Sequence, residues 1–440
     1  MLENLIRSKA RNRGGRLNAA DEHAPLLHQT NPSIIAESQL ASLQSVWSDA
    51  VENIPFYKSL AQREEVPRSL ASWDEFFEHV PVLKKEVLIN NAPLFQRKEK
   101  ADKYSMTAGS TGQPFRFGQF SSEENTTAVD LLAMRAFRGM NIAIDPFFTI
   151  WGHSHLLGSG FKGWINHHVR KSKDRLLGYT RANAYYMDRR HARDYFDLLL
   201  RSRPKVICGY SNAIDLFARH NQDQKKMAHE LGVKFVICTS EILPHSDSAS
   251  VIQEFFNAPV FMEYGGMDFG AVAHKWHDEP YRVNWWNYLV EDLDDKDATP
   301  GSRLIVTCLY HRYLPLLRFD TGDELSDVRS RSAGGILEFD SLEGIKHDVI
   351  NLDDESTIHS LGLFHSIRDE SSVSHIQLVL QDGEMRILLV GAPDDTVTTR
   401  IKNRLADIHP QLARCKLEFV EDMIPNKAGK RRWIVDKRSN

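Results

Sequence analysis

Apolar residues recur at helical spacing in the N-terminal part of the chain. Between residues 36 and 62 they fall three or four positions apart at Leu40, Leu43, Val46, Trp47 and Val51. This spacing predicts a helix, which the proline at position 55 should end or bend. A second helix is predicted over SWDEFFEHV, because Ser72 can cap it and Glu75 follows three residues later.

Strand-like and helical patterns alternate from about residue 130 onward. Strands are predicted at DPFFTIWG, PKVICGY, GVKFVICTSE and APVFMEYGG, and helices at HARDYFDLLLRS, NAIDLFARHN and SASVIQEFF. We expect Asn212 to cap the second of these helices. Alternation at this spacing predicts a parallel sheet covered by helices. The segment from Tyr281 to Leu309 is β-rich (RVNWWNYLVE, SRLIVTCLY), which predicts an all-β or mixed appendage.

The pattern changes near SLEGIKHDVIN, at residues 341–351. Strands are predicted beyond it at HIQLVL, MRILLVG, KLEFVE and RRWIVD, with a helix at DTVTTRIKNRLADI. We therefore predict an N-terminal domain over 1–342, a hinge over 343–350 and a C-terminal domain over 351–440. The fold class is α/β: a large domain of helix-covered mixed or parallel sheets with a β-rich subdomain, then a small α+β domain.

Composition narrows the function classes. The 440 residues carry a formal net charge of -4, so no strong field draws the chain to nucleic acid or to an anionic membrane. No apolar run reaches the length of a membrane span, and the basic N-terminus lacks the apolar core of a secretory signal. Buried thiols in a reducing, cytoplasmic compartment are predicted for the four widely spaced cysteines, Cys208, Cys238, Cys308 and Cys415.

The sequence gives little support for a structural zinc site or for the catalytic motifs of common hydrolases. The histidines of WGHSHLL and WINHHVR have no cysteine or acidic residue at a metal-ligand spacing, so structural zinc is not expected. The hydrolase patterns GxSxG and HExxH are missing from the sequence.

The segment SMTAGSTGQP, at residues 105–114, has the composition of a phosphate-binding loop. Gly109 and Gly112 leave room for an anion, and Thr107, Ser110 and Thr111 add hydroxyl donors to the backbone N–H groups. It is not a Walker A motif, and by itself it could equally be an ordinary turn.

Three further motifs follow in order: EYGGMD at 263–268, RFDTGD at 318–323 and Gly429-Lys430 within NKAGKRR. With the loop, they resemble the signature of the adenylate-forming ligases, which include acyl-CoA synthetases, non-ribosomal adenylation domains and luciferases. IPFYKSLAQ, SWDEFFEHVPVLKKEVL and YYMDRRHARDYFDLLLRSRPKVICGYSNAI resemble the phenylacetate–CoA ligase-like and capsule-biosynthesis-like branch. The likeness extends from about residue 40 to the end of the chain.

The resemblance implies a role for each motif. ATP phosphates would lie on the loop residues Thr107, Ala108, Gly109, Ser110, Thr111 and Gly112. Tyr264 and Gly265 would bind the adenine side of the nucleotide, and Asp323 the ribose hydroxyls. Asp268 would hold Mg²⁺, and Lys430 would neutralise charge at the reacting carboxylate and α-phosphate. The small domain would be mobile, rotating about a hinge at Gly344, His347 and Asp348.

The implied reaction is activation of a carboxylic acid by ATP, followed by transfer to a thiol, with coenzyme A as the default. An amine or a carrier protein could replace coenzyme A as the acceptor, as in an amide-forming ligase of polysaccharide or natural-product biosynthesis. A catalytically silent nucleotide-binding relative is a further alternative. We name Trp151, Tyr210 and Ser211 as candidates for the acid pocket, and expect a monomer or homodimer with neither nucleic acid nor membrane as a partner.

Four departures from the family pattern bear on these roles. Gln113 stands where the loop commonly has lysine, and Asp268 replaces a glutamate that is one methylene longer. In GIKHDVI, Ile345 replaces the arginine that usually contacts ribose, and His347 replaces an aspartate.

From the residues alone, Tyr264 could instead be a core residue, Asp268 a cap and Asp323 a turn residue. Lys430 could belong to a solvated run of charge.

Overall fold

The structure is a computed structural model of the chain. It describes residues 2–63, 67, 69–106, 116–152, 160–185, 187–293, 302–343, 349–351, 357–359, 363, 366–367, 370, 372–381, 384–392, 394–424 and 433–437. The predicted hinge residues Gly344, His347 and Asp348 lie outside these ranges, so the hinge stays a prediction.

The described residues form two compact units. The first draws on Met1–Met106, Arg116–Asp145 and Phe261–Gly344, and the second on Pro146–Val260 and Ile345–Asn440. The helices of the first unit are α1 (Leu2–Arg11), α2 (Arg16–His23), α3 (Pro32–Asn53), α4 (Pro55–Arg63), α5 (Trp73–His79), α6 (Lys85–Asn90) and α7 (Ser121–Phe137).

Two local predictions for this unit are confirmed. A new helix, α4, starts at Pro55, because proline cannot continue α3 but suits the first turn of a helix. At the start of α5, the Glu75 backbone N–H donates to Ser72 Oγ at 3.2 Å. The Glu75 carboxylate in turn accepts the N–H of Ala71 at 2.7 Å, which satisfies a second donor near this helix end.

The strands of the first unit pair antiparallel. A small hairpin joins β1 (Lys103–Met106) to β2 (Arg116–Gln119). The larger sheet has the order β10-β11-β12-β13-β9-β8-β7. Its strands are β7 (Val260–Gly266), β8 (Gly270–Trp276), β9 (Tyr281–Val283), β10 (Tyr288–Leu293), β11 (Ser302–Cys308), β12 (Phe319–Arg331) and β13 (Ile336–Glu343). Strands β9, β10 and β11 fall in or overlap the segment Tyr281–Leu309 that the sequence predicts to be β-rich. Strand β7, predicted as part of the parallel alternation, pairs antiparallel with β8.

The second unit contains a parallel sheet in the order β6-β5-β3-β4. Its strands are β3 (Phe147–Ile150), β4 (Tyr179–Ala182), β5 (Val206–Tyr210) and β6 (Phe235–Thr239). The helices here are α8 (Gly160–Leu177), α9 (Arg189–Ser202), α10 (Ser211–His220), α11 (Lys225–Glu230) and α12 (Ser248–Phe256). Every residue of β3 and β5 is buried, as expected for parallel strands covered on both faces.

The prediction that Asn212 caps α10 is wrong. The helix begins at Ser211, and Tyr210 occupies the cap position without a side-chain hydrogen bond. Glu241 takes over the role: its carboxylate accepts the backbone N–H of Asn212 at 3.3 Å, and its carbonyl oxygen accepts the Ser211 hydroxyl at 2.7 Å. One free backbone donor of the helix end is thus satisfied by a residue that is distant in sequence.

The last part of the chain forms a second, smaller sheet in the order β18-β17-β16-β19. Its strands are β16 (Val373–Gln381), β17 (Glu384–Gly391), β18 (Lys416–Val420) and β19 (Ile434–Asp436), preceded by a hairpin of β14 (Val349–Asn351) and β15 (Thr357–His359). Two helices, α13 (Asp395–Ile408) and α14 (Pro410–Arg414), separate β17 from β18. Asp394 caps α13 by accepting the N–H of Val397 at 2.8 Å.

All four cysteines are buried and none forms a disulfide, which confirms the prediction of buried thiols. Within the described parts of the chain, no helix combines the length and the apolar character needed to cross a membrane.

His274 on β8 is a buried polar residue of the first unit. It is fully buried, and neither ring nitrogen has a hydrogen-bond partner among the described residues. Its ring stacks on Phe261 at 5.5 Å and meets Phe137 edge-on at 6.3 Å. Burial, reinforced by the charges of Arg138 and Arg282, lowers the pKa of His274 from 6.5 to about 3.

We predict that His274 makes the protein sensitive to acid. Since its pKa is lowered in the folded state, its stabilising effect is complete above pH 6.5 and declines as the pH falls from 6.5 toward 3. Between pH 7 and pH 5 the loss should be about 2 kcal/mol, and His274→Leu should remove it. Urea denaturation at both pH values measures this, with His79→Gln on α5 as the control. An unchanged pH dependence in His274→Leu would contradict the prediction.

Candidate functional site

A tight hairpin between β7 and β8 carries the EYGGMD motif. Gly266 pairs with Gly270, so Met267, Asp268 and Phe269 form the turn. A side chain at Gly265 would clash with the carbonyl oxygen of Gly270, and Gly270 itself has a φ of 95°, which favours glycine. The two glycines allow β7 and β8 to approach closely at the turn that carries Asp268.

A buried arginine is hydrogen-bonded to the backbone of the turn. Arg312 is 2% exposed, and its guanidinium donates to the backbone carbonyl oxygen of Asp268. The same group pairs with the Glu123 carboxylate at 3.0 Å and contacts Tyr310 Oη at 3.1 Å. The backbone of Asp268 is therefore fixed by a residue of the loop between β11 and β12.

The carboxylate of Asp268 faces a lysine. Lys85 Nζ lies 3.8 Å from Asp268 Oδ2, and the two side chains are 15% and 12% exposed. We did not identify Lys85 from the sequence. The segment VPVLKKEVL contains two adjacent lysines, and nothing in the local pattern distinguishes Lys85 from Lys84.

Backbone pairing places Lys85 beside the RFDTGD motif. Leu83 donates its N–H to the carbonyl of Arg318 at 2.8 Å and accepts the N–H of Asp320 at 3.0 Å. The guanidinium of Arg318 also donates to the carbonyl oxygens of Phe77 at 2.9 Å and Val80 at 2.8 Å. These bonds tie the segment between α5 and α6 to the start of β12.

Tyr264 and Asp323 are joined directly. The Tyr264 hydroxyl donates to Asp323 Oδ2 at 2.8 Å. Burial is the largest of the causes that raise the pKa of Tyr264 well above 10, followed by the charge of Asp323, and the charge of Asp268 adds to them. Tyr264 therefore remains a hydrogen-bond donor throughout the physiological pH range, and it fixes the orientation of the Asp323 carboxylate.

The first unit thus assembles four of the residues that the sequence singles out: Tyr264, Gly265, Asp268 and Asp323. The others implied for the nucleotide and the reaction, Thr107, Ala108, Gly109, Ser110, Thr111, Gly112 and Lys430, lie outside the described residues.

The residues suggested for an acid pocket lie together in the second unit. The rings of Trp151 and Tyr210 are 4.6 Å apart, and Tyr185 lies 6.4 Å from Tyr210. Burial raises the pKa of both tyrosines. Ser211 is fully buried and its hydroxyl is bonded to the Glu241 carbonyl, which gives it a structural role in the start of α10. An acid pocket at Trp151, Tyr210 and Ser211 stays a prediction.

Asp268 is the candidate metal ligand. Mg²⁺ commonly binds proteins through one or two carboxylates and takes its other ligands from phosphates and water. A single carboxylate fits this pattern, and no group of three or more His, Cys, Asp or Glu side chains suited to a metal occurs within the described ranges. Asp268 could therefore hold Mg²⁺ only together with ligand phosphates, and Lys85 would then face the metal as a second cation.

The Tyr264–Asp323 hydrogen bond should contribute measurably to stability. We predict that Tyr264→Phe lowers the free energy of unfolding by about 1–2 kcal/mol, since the Asp323 carboxylate loses a donor in a half-buried setting. Tyr104→Phe, at an exposed tyrosine of β1, should change it by less than about 0.5 kcal/mol. Urea denaturation of both variants measures the difference, and equal effects would show that this hydrogen bond adds nothing to stability.

Comparison with known proteins identifies the fold. No protein-family model and no curated protein matches the chain. Solved structures of 2-hydroxyisobutyryl-CoA ligase do match. Its postadenylation state with R3-HIB-AMP is 17% identical, with a TM-score of 0.51 over 92% of this chain and 90% of that one. Its open conformation with 2-HIB-AMP and CoA is 17% identical, with a TM-score of 0.51 over 91% of each chain. The chain therefore has the α/β fold of the adenylate-forming acyl-CoA ligases, as the resemblance of its motifs implies.

Proposed function

We propose that the protein activates a carboxylic acid with ATP as an acyl-adenylate and then transfers the acyl group to a thiol. The observation that carries this proposal is the Tyr264–Asp323 pair. It joins the EYGGMD hairpin to the RFDTGD strand within a fold shared with a ligase that was solved with an adenylate. The first step forms a bond between the carboxylate oxygen and the α-phosphate, and pyrophosphate leaves. In the second step the thiol sulfur forms a bond to the acyl carbon, the bond from that carbon to the phosphate oxygen breaks, and AMP leaves.

The described residues would bind the nucleoside part of ATP. The Asp323 carboxylate, oriented by Tyr264, accepts hydrogen bonds from the ribose hydroxyls. The aromatic face of Tyr264 would provide a surface on which adenine stacks, and Gly265 beside it would lie on the adenine side of the nucleotide. In this arrangement one tyrosine contacts the base and positions the carboxylate that binds the sugar.

The phosphates and the reacting groups would be bound by the loop at 107–112 and by Lys430. Backbone N–H groups and hydroxyls of the loop hold the β- and γ-phosphates. The ammonium of Lys430 stabilises the negative charge that develops between the carboxylate and the α-phosphate. Asp268 would hold Mg²⁺, which when bound neutralises charge on the phosphates. We place the hinge that moves the small domain at Gly344, His347 and Asp348.

Coenzyme A is the first acceptor to test, because the matching ligase was solved with CoA and an adenylate. An aryl acid is the first substrate to test, because the sequence resembles the phenylacetate–CoA ligase-like branch. An amine acceptor remains the alternative for the second step. Ile345 and His347, which replace the arginine and aspartate usual in the family, make a silent nucleotide-binding protein the alternative from another class.

Pyrophosphate exchange into ATP, screened over aryl, fatty and amino acids, tests the proposal. Exchange that depends on one class of carboxylic acid supports adenylation. Thioester formation after coenzyme A is added supports the thiol acceptor, whereas a product that appears only with an amine supports the amide ligase. ATP binding with no exchange for any acid would favour the silent relative and refute the proposed reaction.

Lys430 should be needed for adenylation and not for nucleotide binding. We predict that Lys430→Ala lowers acid-dependent exchange at least about a hundredfold, because a charge that stabilises the transition state is lost, while ATP still binds. Lys427→Ala, three residues earlier in the same basic segment, is the matched control and should retain exchange. Exchange in Lys430→Ala at the wild-type rate would refute the role of this lysine.

Asp323 should act mainly on affinity. Asp323→Asn keeps an acceptor for Tyr264 but removes the charge, so we expect about a tenfold weaker affinity for ATP. Asp327→Asn on the same strand, at an exposed position, is the control. Equal ATP affinities of the two variants in a titration would exclude Asp323 from the ribose site.

A further inference from the structure

Lys85 is a cation that is only partly satisfied. Its ammonium has three donors, yet among the residues that the structure describes its one polar contact is Asp268 Oδ2 at 3.8 Å. That separation is too long for a hydrogen bond, so the contact is a charge pair. The side chain is 15% exposed, so it is partly accessible from outside.

The position of Lys85 is fixed by the strand that carries the proposed ribose ligand. Leu83, two residues before Lys85, is hydrogen-bonded to Arg318 and Asp320 at the start of β12. Asp323 lies three residues further along this strand and is bonded to Tyr264. Hydrogen bonds therefore join the segment that carries Lys85 to the strand that carries Asp323, and a charge pair joins Lys85 to Asp268.

In the proposed site, the ammonium of Lys85 would lie near the phosphates of ATP. In the proposed site the nucleoside lies against Tyr264 and Asp323, and Asp268 lies beside the phosphates to bind a cation there. Lys85 already faces the Asp268 carboxylate. The loop meanwhile has Gln113 where the family commonly has lysine, so the loop supplies one positive charge fewer to the triphosphate.

We propose that Lys85 binds the ATP phosphates, supplying from the start of α6 the positive charge that the loop lacks. Before nucleotide binds, its ammonium pairs with Asp268; when the triphosphate arrives, the ammonium hydrogen-bonds to a phosphate oxygen. This exchange breaks no covalent bond. The proposal rests on the proposed function for the location of the nucleotide, although it concerns binding and not the acyl transfer.

Nucleotide titration without metal tests the role of Lys85. Lys85→Met removes the charge and keeps the length of the side chain, Lys85→Arg keeps the charge, and Lys84→Met changes the exposed neighbour. Affinities for ATP and adenosine are measured by calorimetry in EDTA, so that Mg²⁺ does not contribute. Lys85→Met should bind ATP at least about tenfold more weakly with adenosine affinity unchanged. Lys85→Arg and Lys84→Met should stay within about threefold of the wild type for both ligands.

Two results would overturn the proposal. One is unchanged ATP affinity in Lys85→Met. The other is an equal loss for ATP and adenosine, which is the outcome expected of a purely structural ion pair. If Lys85→Met does not fold, because it leaves Asp268 without a cation, Lys85→Met/Asp268→Asn is compared with Asp268→Asn, and the same selective loss of ATP affinity is expected.

The outcome is separable from that of the proposed function. If the wild type binds ATP but shows no acid-dependent pyrophosphate exchange, the ligase activity is refuted, and the titration still decides whether Lys85 contacts phosphate. If exchange is present and Lys85→Met binds ATP like the wild type, the ligase activity stands and the role of Lys85 falls.

Discussion

The buried guanidinium of Arg312 is the constraint on which the geometry of the site depends. A charge at 2% exposure is tolerated only where it is paired and hydrogen-bonded. Its ion-pair partner, Glu123, also accepts the backbone N–H groups of Phe120 at 2.8 Å and Tyr313 at 2.9 Å. The start of α7, the loop after β11 and the turn at Asp268 are thereby held by one network. Displacing any of the three would leave a buried charge or backbone donor without a partner, so Asp268 has little freedom to move.

A second arginine plays the corresponding role for the RFDTGD strand. Arg318 has a φ of 49°, an unfavourable conformation for a residue with a side chain. It is held there by hydrogen bonds to the end of α5 and by an ion pair with Glu291 at 3.0 Å. Six residues apart, Arg312 and Arg318 fix the hairpin turn and the strand that carry Asp268 and Asp323. The arginine of the motif thus serves the site through backbone geometry.

Local patterns predicted the elements well wherever local chemistry decides them. Three of the four parallel strands, β3, β5 and β6, are continuous apolar runs, whereas β4 (YTRA) is not and was not predicted. Pro55 starts a helix and Ser72 caps one, and both can be read within a few residues. The failures come from contacts between distant segments. Asn212 is not a cap because Glu241 supplies the acceptor. We did not predict α1, which is held by Arg7 and Arg11 through carbonyl groups more than 130 residues away, at Ile144 and Ile142.

In the candidate site, too, residues of local motifs could be predicted from the sequence, and a residue placed by distant contacts could not. Tyr264, Gly265, Asp268 and Asp323 could be found from the sequence because each belongs to a motif with a fixed order along the chain. Lys85 could not, because its position depends on pairing between Leu83 and a strand more than 230 residues later. Motif comparison detects groups that keep their place in the sequence, whereas a phosphate requires only that positive charge lies nearby, since Coulomb attraction depends on distance and not on the segment that provides the charge. The departures at Gln113 and Ile345 are therefore better judged by the total charge around the nucleotide than by the match to each motif. In the proposed site, the ammonium of Lys85 supplies one such positive charge, and the carboxylate of Asp268 beside it supplies a negative one.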